Sequence, residues 1–176
     1  MSRLDEMTPA LKLKYAAFAA KMGDARIPFG LNEVLRTTKR QLAYACQGRT
    51  YEELIALLLK SNWVKSVARV RKLQVEGKTI QETCDIFRGE DGLYLLKGKE
   101  WRKITWKMNS YHIANSEGLS RAFDIKIFTP NGQPNWNEKW DADMDGISEY
   151  KEAAELGRSV GLKPGADFGD WPHFQL

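Results

Sequence analysis

The chain ends on GDWPHFQL, which holds one of its only two histidines, His173, with Asp170 three residues before it. The other histidine, His112, precedes Asp124, a carboxylate within the alternating apolar segment AFDIKIF. A carboxylate in an apolar strand costs free energy unless it is paired or binds a metal. Two histidines and one carboxylate form a common open zinc set, which leaves a fourth position for water. The alternative for each histidine is an ordinary residue of the core.

Zinc at such a site would lower the pKa of a water ligand to about 7. Asp170 is then placed to act as the general base that removes the proton of this water and passes it to the leaving group. Pro172 restricts the backbone between Asp170 and His173, because its ring fixes its own φ and biases the preceding residue to an extended conformation.

Three segments resemble the signatures of a known family of zinc peptidases. SYH…RAFDI and DWPHFQL are similar to the two signature segments of the D-alanyl-D-alanine carboxypeptidase (VanX/VanY) superfamily, and most similar to those of its phage endolysin branch, the L-alanyl-D-glutamate endopeptidases. VLRTTKRQLAYACQGRT (34–50) resembles the upstream arginine segment of the same family. The matching residues are Arg36, Gln41, Ser110, His112, Ala122, Asp124, Asp170 and His173.

The resemblance implies a role for each matching polar residue. His112, Asp124 and His173 would hold Zn²⁺, and Asp170 would act as general base and acid. Arg36 would stabilise the developing oxyanion or anchor a substrate carboxylate, as its planar guanidinium suits. Ser110 and Gln41 would contact substrate, with a turn cap and a structural role as their alternatives.

The spacing between His112 and Asp124 is longer than in the family, and an insertion, IANSEGL, explains the difference. This insertion brings in a second carboxylate, that of Glu117. Asp124 is therefore the expected third ligand, and Glu117 is the alternative.

A second acidic cluster, DADMDGISEYKE (141–152), fits the calcium-loop pattern D-x-D-x-D-G-x5-E completely. The expected calcium ligands are Asp141, Asp143, Asp145, Ile147 at the seventh position, and Glu152 as a bidentate carboxylate. The alternative is an acidic, solvated turn before a helix, because the preceding NWNEKW is a poor incoming helix and the chain has no second loop to pair with.

Local signals predict the elements that position these groups. Thr8 and Pro9 begin a helix that ends at Gly23, and capping-box patterns at Thr50 and Thr79 begin two further helices. The other predicted elements are a strand over 27–36 that ends on Arg36, a short helix closed by Gly48, a hairpin over 91–107 around Gly98, an alternating strand segment over 122–132 that ends in an Asn-Gly turn, a helix at about 148–160 and a terminal strand.

Helices and strands are interleaved without a regular βαβ rhythm, which favours an α+β fold. We expect a single domain over 1–176, with a small central antiparallel sheet flanked by helices and a helical insertion at about 50–87. The two cysteines, Cys46 and Cys84, match no metal-ligand spacing and are expected to be reduced thiols.

The composition limits the location and the partners of the protein. Its 176 residues contain no apolar run long enough to span a membrane and no secretory signal, so we expect synthesis in a host cytoplasm and no stable membrane insertion. The net charge of +4 favours anionic partners, and the basic stretch 60–72 is a solvated helix face or a contact for cell-wall polymers.

The resemblance implies a zinc peptidase that cuts the stem peptide of peptidoglycan in the periplasm, as a phage endolysin. We expect it to be a monomer that binds no nucleic acid. The L-Ala–D-Glu bond is the expected target, and a D-Ala-D-Ala carboxypeptidase is the alternative within the family. The alternative from a different class is a non-catalytic basic binding protein whose histidines are structural.

Overall fold

The structure, a computed structural model, describes residues 3–91 and 108–176 and divides into two compact units. One unit comprises 1–35 and 114–176, and the other comprises 36–113. Within the described residues the chain forms six α-helices and a five-stranded antiparallel sheet, so the expected α+β class is confirmed. The expected hairpin around Gly98 lies outside the described residues, and a single domain with a helical insertion stays a prediction.

The elements follow one another as α1 (Pro9–Asp24), β1 (Phe29–Glu33), α2 (Thr38–Cys46), α3 (Tyr51–Lys60), α4 (Val64–Val75), α5 (Ile80–Asp91), β2 (Ala122–Phe128), β3 (Pro134–Asn135), α6 (Glu149–Ser159), β4 (Lys163–Pro164) and β5 (His173–Gln175), with 3-10 turns at Arg3–Glu6 and Gly165–Phe168. No helix in the described part of the chain is both long and apolar enough to cross a membrane.

Helix α1 begins where its sequence predicts. The hydroxyl of Thr8 accepts a hydrogen bond from the backbone N–H of Leu11 at 3.3 Å, and Pro9 occupies the first helical position. Phe18 and Met22 are buried together with Leu11, so this helix packs one apolar stripe against the sheet unit's core.

The sheet has the order β1-β2-β5-β4, with β3 also paired to β2, and all its pairs are antiparallel. Along β2 the buried side chains alternate, so Phe123, Ile125 and Ile127 share the face that packs into the core. The opposite face carries Asp124 and Lys126, which are only partly buried. This alternation puts the expected ligand on the face away from the apolar core.

Aromatic packing fixes the last strand against the core. The ring of Phe174 stacks on Phe123 with centroids 5.4 Å apart and lies 4.8 Å from the ring of Phe18. Helix α6 approaches the same ring so closely that a Cβ added to Gly157 would lie 2.6 Å from Phe174. The terminal strand is therefore held in place by a well-packed core.

The unit over 36–113 is built from helices around its own core. Thr50 and Glu53 form a complete capping box at the start of α3, and the Thr79 hydroxyl accepts a hydrogen bond from the backbone N–H of Glu82 in the first turn of α5. The two predicted helix starts are thus confirmed. The buried residues of this core are Leu42, Ala43, Ala45, Cys46, Leu54, Leu58, Val67, Val70, Cys84, Phe87 and Met108.

The strand predicted over 27–36 is shorter than expected. Strand β1 ends at Glu33, after an irregularity in its pairing between Leu31 and Glu33. Arg36 instead forms an isolated parallel bridge with Ile113. The two-residue strands β3 and β4 and the 3-10 turns are further elements that the sequence pattern missed, because such short segments contain no full period.

The close approach of α6 to Phe174 yields a test of the core. Replacing Gly157 with alanine forces the ring of Phe174 to move, which we expect to cost about 1–3 kcal/mol and to lower the melting temperature. Gly23, in the last turn of α1, is the matched control, because nothing lies within 4 Å of its added Cβ. Gly23→Ala should stabilise the protein by about 0.5–1 kcal/mol. Equal effects of the two substitutions in thermal unfolding would contradict this packing.

Candidate metal centre

Asp124 and His173 face each other across two neighbouring strands. The antiparallel register of β2 and β5 pairs their Cα atoms directly, although they are 49 residues apart in sequence. Because Phe123 and Phe174 point into the core, strand alternation turns Asp124 and His173 to the opposite face. The register therefore places an imidazole beside a carboxylate on one side of the sheet.

The distance between the ligand atoms of the two side chains is close to the distance between two ligand atoms bound to one metal ion. Nδ1 of His173 lies 3.1 Å from Oδ1 of Asp124, and the side chains are 7% and 17% exposed. Two donors at zinc–ligand distances from one tetrahedral ion would lie about 3.3 Å apart. The other ring nitrogen, Nε2, lies 2.9 Å from Oε1 of Gln175, a neighbour that the sequence analysis did not single out.

The third expected ligand, His112, belongs to the unit over 36–113 and is only 2% exposed. The backbone N–H of His112 donates to the hydroxyl of Ser110 at 3.3 Å, and Ile113 N–H donates to the Ser110 carbonyl at 3.0 Å. Ser110 thus caps the turn that presents His112, which favours the structural alternative for this residue.

Within the sheet unit, the imidazole of His173 and the carboxylate of Asp124 offer two neighbouring ligand atoms that could bind a metal ion. Glu117, the alternative to Asp124, is exposed, and its carboxylate accepts a long hydrogen bond from Asn115 at 3.5 Å.

A tight turn places Asp170 beside His173. The N–H of Asp170 donates to the Gly165 carbonyl at 2.9 Å, and the N–H of His173 donates to the Asp170 carbonyl at 3.0 Å. A Cβ on Gly165 would lie 2.2 Å from the Asp170 carbonyl oxygen and 2.7 Å from Cβ of His173, so the turn accepts only glycine there. The side chain of Asp170 is exposed at this turn.

The environment of His173 raises its pKa above the ordinary value. Burial alone acts to lower it, but the hydrogen bond and the negative charge of Asp124 outweigh this effect. Gln175 and the charge of Asp170 raise the pKa further.

Arg36 and Gln41, predicted as a pair, contact each other. The guanidinium of Arg36 donates to Oε1 of the buried Gln41 at 2.9 Å and lies 5.0 Å from the centroid of the Tyr44 ring. The backbone N–H of Arg36 donates to the His112 carbonyl at 2.8 Å. Gln41 thus orients Arg36, which favours its structural alternative over contact with substrate.

The acidic loop forms a second group of possible metal ligands, with one oxygen each of Asp141, Asp143 and Asp145 within 4.8 Å of the others. The two carboxylate oxygens of Asp141 accept from the N–H groups of Met144 and Gly146 at 2.8 and 2.9 Å. Gly146 has a φ of 91°, which suits the sharp turn expected at this position.

Glu149 is a residue of this loop that the sequence analysis missed. It is 5% exposed, one carboxylate oxygen accepts from Ala142 N–H at 2.5 Å, and the other has no hydrogen-bond partner in the described structure. The pKa of Glu152 is raised by burial and then by the charges of Asp145, Asp143, Glu149 and Asp141. Glu149 is the ninth residue of the loop pattern, which could have identified it.

No protein-family model matches the chain, and no curated protein matches it at a significant level. The family resemblance of the motifs therefore stays a prediction that depends on the residues quoted for it.

The contact of Asp124 with His173 predicts a pH effect in the metal-free protein. In Asp124→Asn the negative charge is lost, so burial should lower the pKa of His173 relative to the unchanged protein. NMR titration of the imidazole protons in chelator-treated protein measures this pKa. Asp143→Asn, in the acidic loop, is the control and should leave it unchanged.

The same contact has a consequence for stability. Because folding raises the pKa of His173, the pair stabilises the metal-free fold fully below about pH 6.5, and this contribution is lost as the pH rises through the folded-state pKa. An unchanged His173 pKa in Asp124→Asn would contradict the assigned contact.

Proposed function

We propose that this protein is a zinc-dependent peptidase that hydrolyses the stem peptide of peptidoglycan, with the L-Ala–D-Glu bond as its target, and that it serves as a phage endolysin. The observation that carries the proposal is the pair of Asp124 and His173 on one face of the sheet, beside the turn of Asp170. The motif resemblance adds His112 as the third ligand. Buried ionisable groups that converge in this way are expensive without a ligand and are typical of functional sites.

The donor set supports zinc as the metal. Two imidazoles and one carboxylate, the set that the motifs supply, suit Zn²⁺ and leave one position open, although the same set with more open positions also suits Fe²⁺. The motif resemblance favours zinc. When bound, Zn²⁺ would supply a Lewis acid that polarises a carbonyl and lowers the pKa of water to about 7.

Asp170 is the proposed proton carrier. Asp170 is exposed to solvent, and the tight turn at Gly165 holds its backbone against that of His173. In this position it would accept the proton of the attacking water and deliver it to the nitrogen of the leaving amine.

Arg36 is the proposed anchor for negative charge on the substrate. Its guanidinium is held by Gln41 and by the ring of Tyr44. A guanidinium fixed in this way can bind a carboxylate or an oxyanion at little entropic cost. The D-glutamyl carboxylate of a stem peptide and the terminal carboxylate of D-Ala-D-Ala would both suit it, so the carboxypeptidase remains the alternative activity.

Metal analysis and mass spectrometry of digested Gram-negative peptidoglycan test the proposal together. We expect about one zinc per chain and products that begin at D-Glu. His173→Ala should lose both zinc and hydrolysis. Asp170→Asn should keep zinc and lose about 10²–10⁴-fold in turnover, since it removes the proton carrier only.

Asp167→Asn is the matched control, because Asp167 is an exposed carboxylate of the same segment, paired with Arg158, and has no proposed catalytic role. Release of D-alanine alone would identify the carboxypeptidase instead. A protein that binds iron rather than zinc, or that neither binds metal nor cuts peptidoglycan, would refute the proposal.

We also propose that the acidic loop binds Ca²⁺. Five carboxylates converge there, those of Asp141, Asp143, Asp145, Glu149 and Glu152. Calcium prefers six to eight oxygen ligands, and the ninth and twelfth loop positions commonly complete the set. The buried oxygen of Glu149 without a hydrogen-bond partner supports a cation at this position.

The substitution Glu149→Gln tests whether the carboxylate of Glu149 binds calcium or only stabilises the calcium-free fold. The substitution removes a charge that repels the other four carboxylates, so we expect the calcium-free protein to be as stable as before or more stable. Calcium affinity, measured by isothermal titration, should fall at least about tenfold with the lost charge. Glu138→Gln, at an exposed carboxylate before the loop, is the control. Calcium binding that is unaffected in Glu149→Gln would contradict its role as ligand.

A further inference from the structure

We infer that Gln175 is a positioning residue that fixes the tautomer of His173, so that Nδ1 is the nitrogen offered to the metal. This inference rests on the metal centre of the proposed function and assigns a role to a residue outside the expected ligand set. NMR can measure directly which ring nitrogen of His173 carries the proton when zinc is bound.

Strand β5 places the two side chains together. Gln175 follows His173 by two residues, so both lie on the face of the strand opposite Phe174, whose ring is packed in the core. The backbone of Gln175 pairs with Ala122 of β2 on one side and with Lys163 of β4 on the other. Gln175 is thus in an interior strand, and its position relative to the imidazole is set by the sheet.

The contact itself selects the proton position. Oε1 of Gln175 lies 2.9 Å from Nε2 of His173, and an amide oxygen can only accept a hydrogen bond, so Nε2 carries the proton. A neutral imidazole with its proton on Nε2 has its lone pair on Nδ1. Nδ1 is the nitrogen that lies 3.1 Å from Oδ1 of Asp124, the other proposed ligand in the sheet.

A histidine ligand generally donates its second ring N–H to a carboxylate, a carbonyl or water, which fixes the ring orientation and increases its basicity. Gln175 can supply this interaction with a neutral oxygen. The carboxylate of Asp124 then remains the negative charge among the proposed ligands. Loss of such an outer partner commonly weakens metal binding about 10- to 100-fold.

Two substitutions in the full chain test this role. Gln175→Met keeps the length of the side chain but removes the acceptor oxygen, whereas Gln175→Glu keeps an acceptor at the same place. Gln133→Met, at an exposed glutamine after β2, is the matched control. Each variant is titrated with Zn²⁺ in competition with a chromogenic chelator, and long-range ¹H–¹⁵N spectra of the zinc-loaded proteins show which nitrogen of His173 is protonated.

We expect Gln175→Met to weaken zinc binding about 10- to 100-fold and to lose the single Nε2–H tautomer. Gln175→Glu should bind zinc at least as tightly as the unchanged protein, and Gln133→Met should bind it equally. Three results would overturn the inference: zinc on Nε2 of His173 in the unchanged protein, unchanged affinity in Gln175→Met, or an equal loss in the Met and Glu variants.

The outcome also separates this inference from the proposed function. If the unchanged protein binds no Zn²⁺, both are wrong. If zinc binding depends on Gln175 as expected but peptidoglycan is not cut, the positioning role stands and the peptidase proposal fails.

Discussion

The direct pairing of Asp124 with His173 is the constraint on which the candidate metal centre depends. The two residues are 49 positions apart in the chain and meet because β2 and β5 pair in one register. A shift of that register by one residue would move His173 to the opposite face and replace it by Phe174. The register of the two strands therefore determines which side chains meet at the site.

The hydrophobic core enforces this alignment. Phe174 stacks on Phe123 and contacts Phe18, and α6 comes so close to its ring that only glycine fits at position 157. Burying an aromatic ring of this kind is worth several kcal/mol, and a slipped register would expose it. The polar ligand pair lies on one face of the sheet because the apolar residues next to it occupy the other.

The two groups of candidate ligands differ in the chemistry that they can perform. The pair of Asp124 and His173 includes an imidazole nitrogen and is largely buried, which suits a borderline ion such as Zn²⁺. The loop that begins at Asp141 offers oxygen only and carries several mutually repelling charges, which suits a hard cation such as Ca²⁺. We therefore expect zinc to prefer the site with imidazole ligands and calcium to prefer the loop with carboxylate ligands only.

Much of this organisation could be predicted from residues near one another in the chain. The caps at Thr8 and Thr50, the alternation of AFDIKIF and the loop that follows Asp141 are local patterns, and local backbone chemistry determines them. The motif likewise indicated which residues to consider as ligands. Tertiary structure alone decided that Asp124 faces His173 whereas Glu117 is exposed, that Gln175 contacts Nε2 and that Glu149 is buried. The reason is that burial and contacts between distant residues arise from core packing and strand register, which no short stretch of sequence contains.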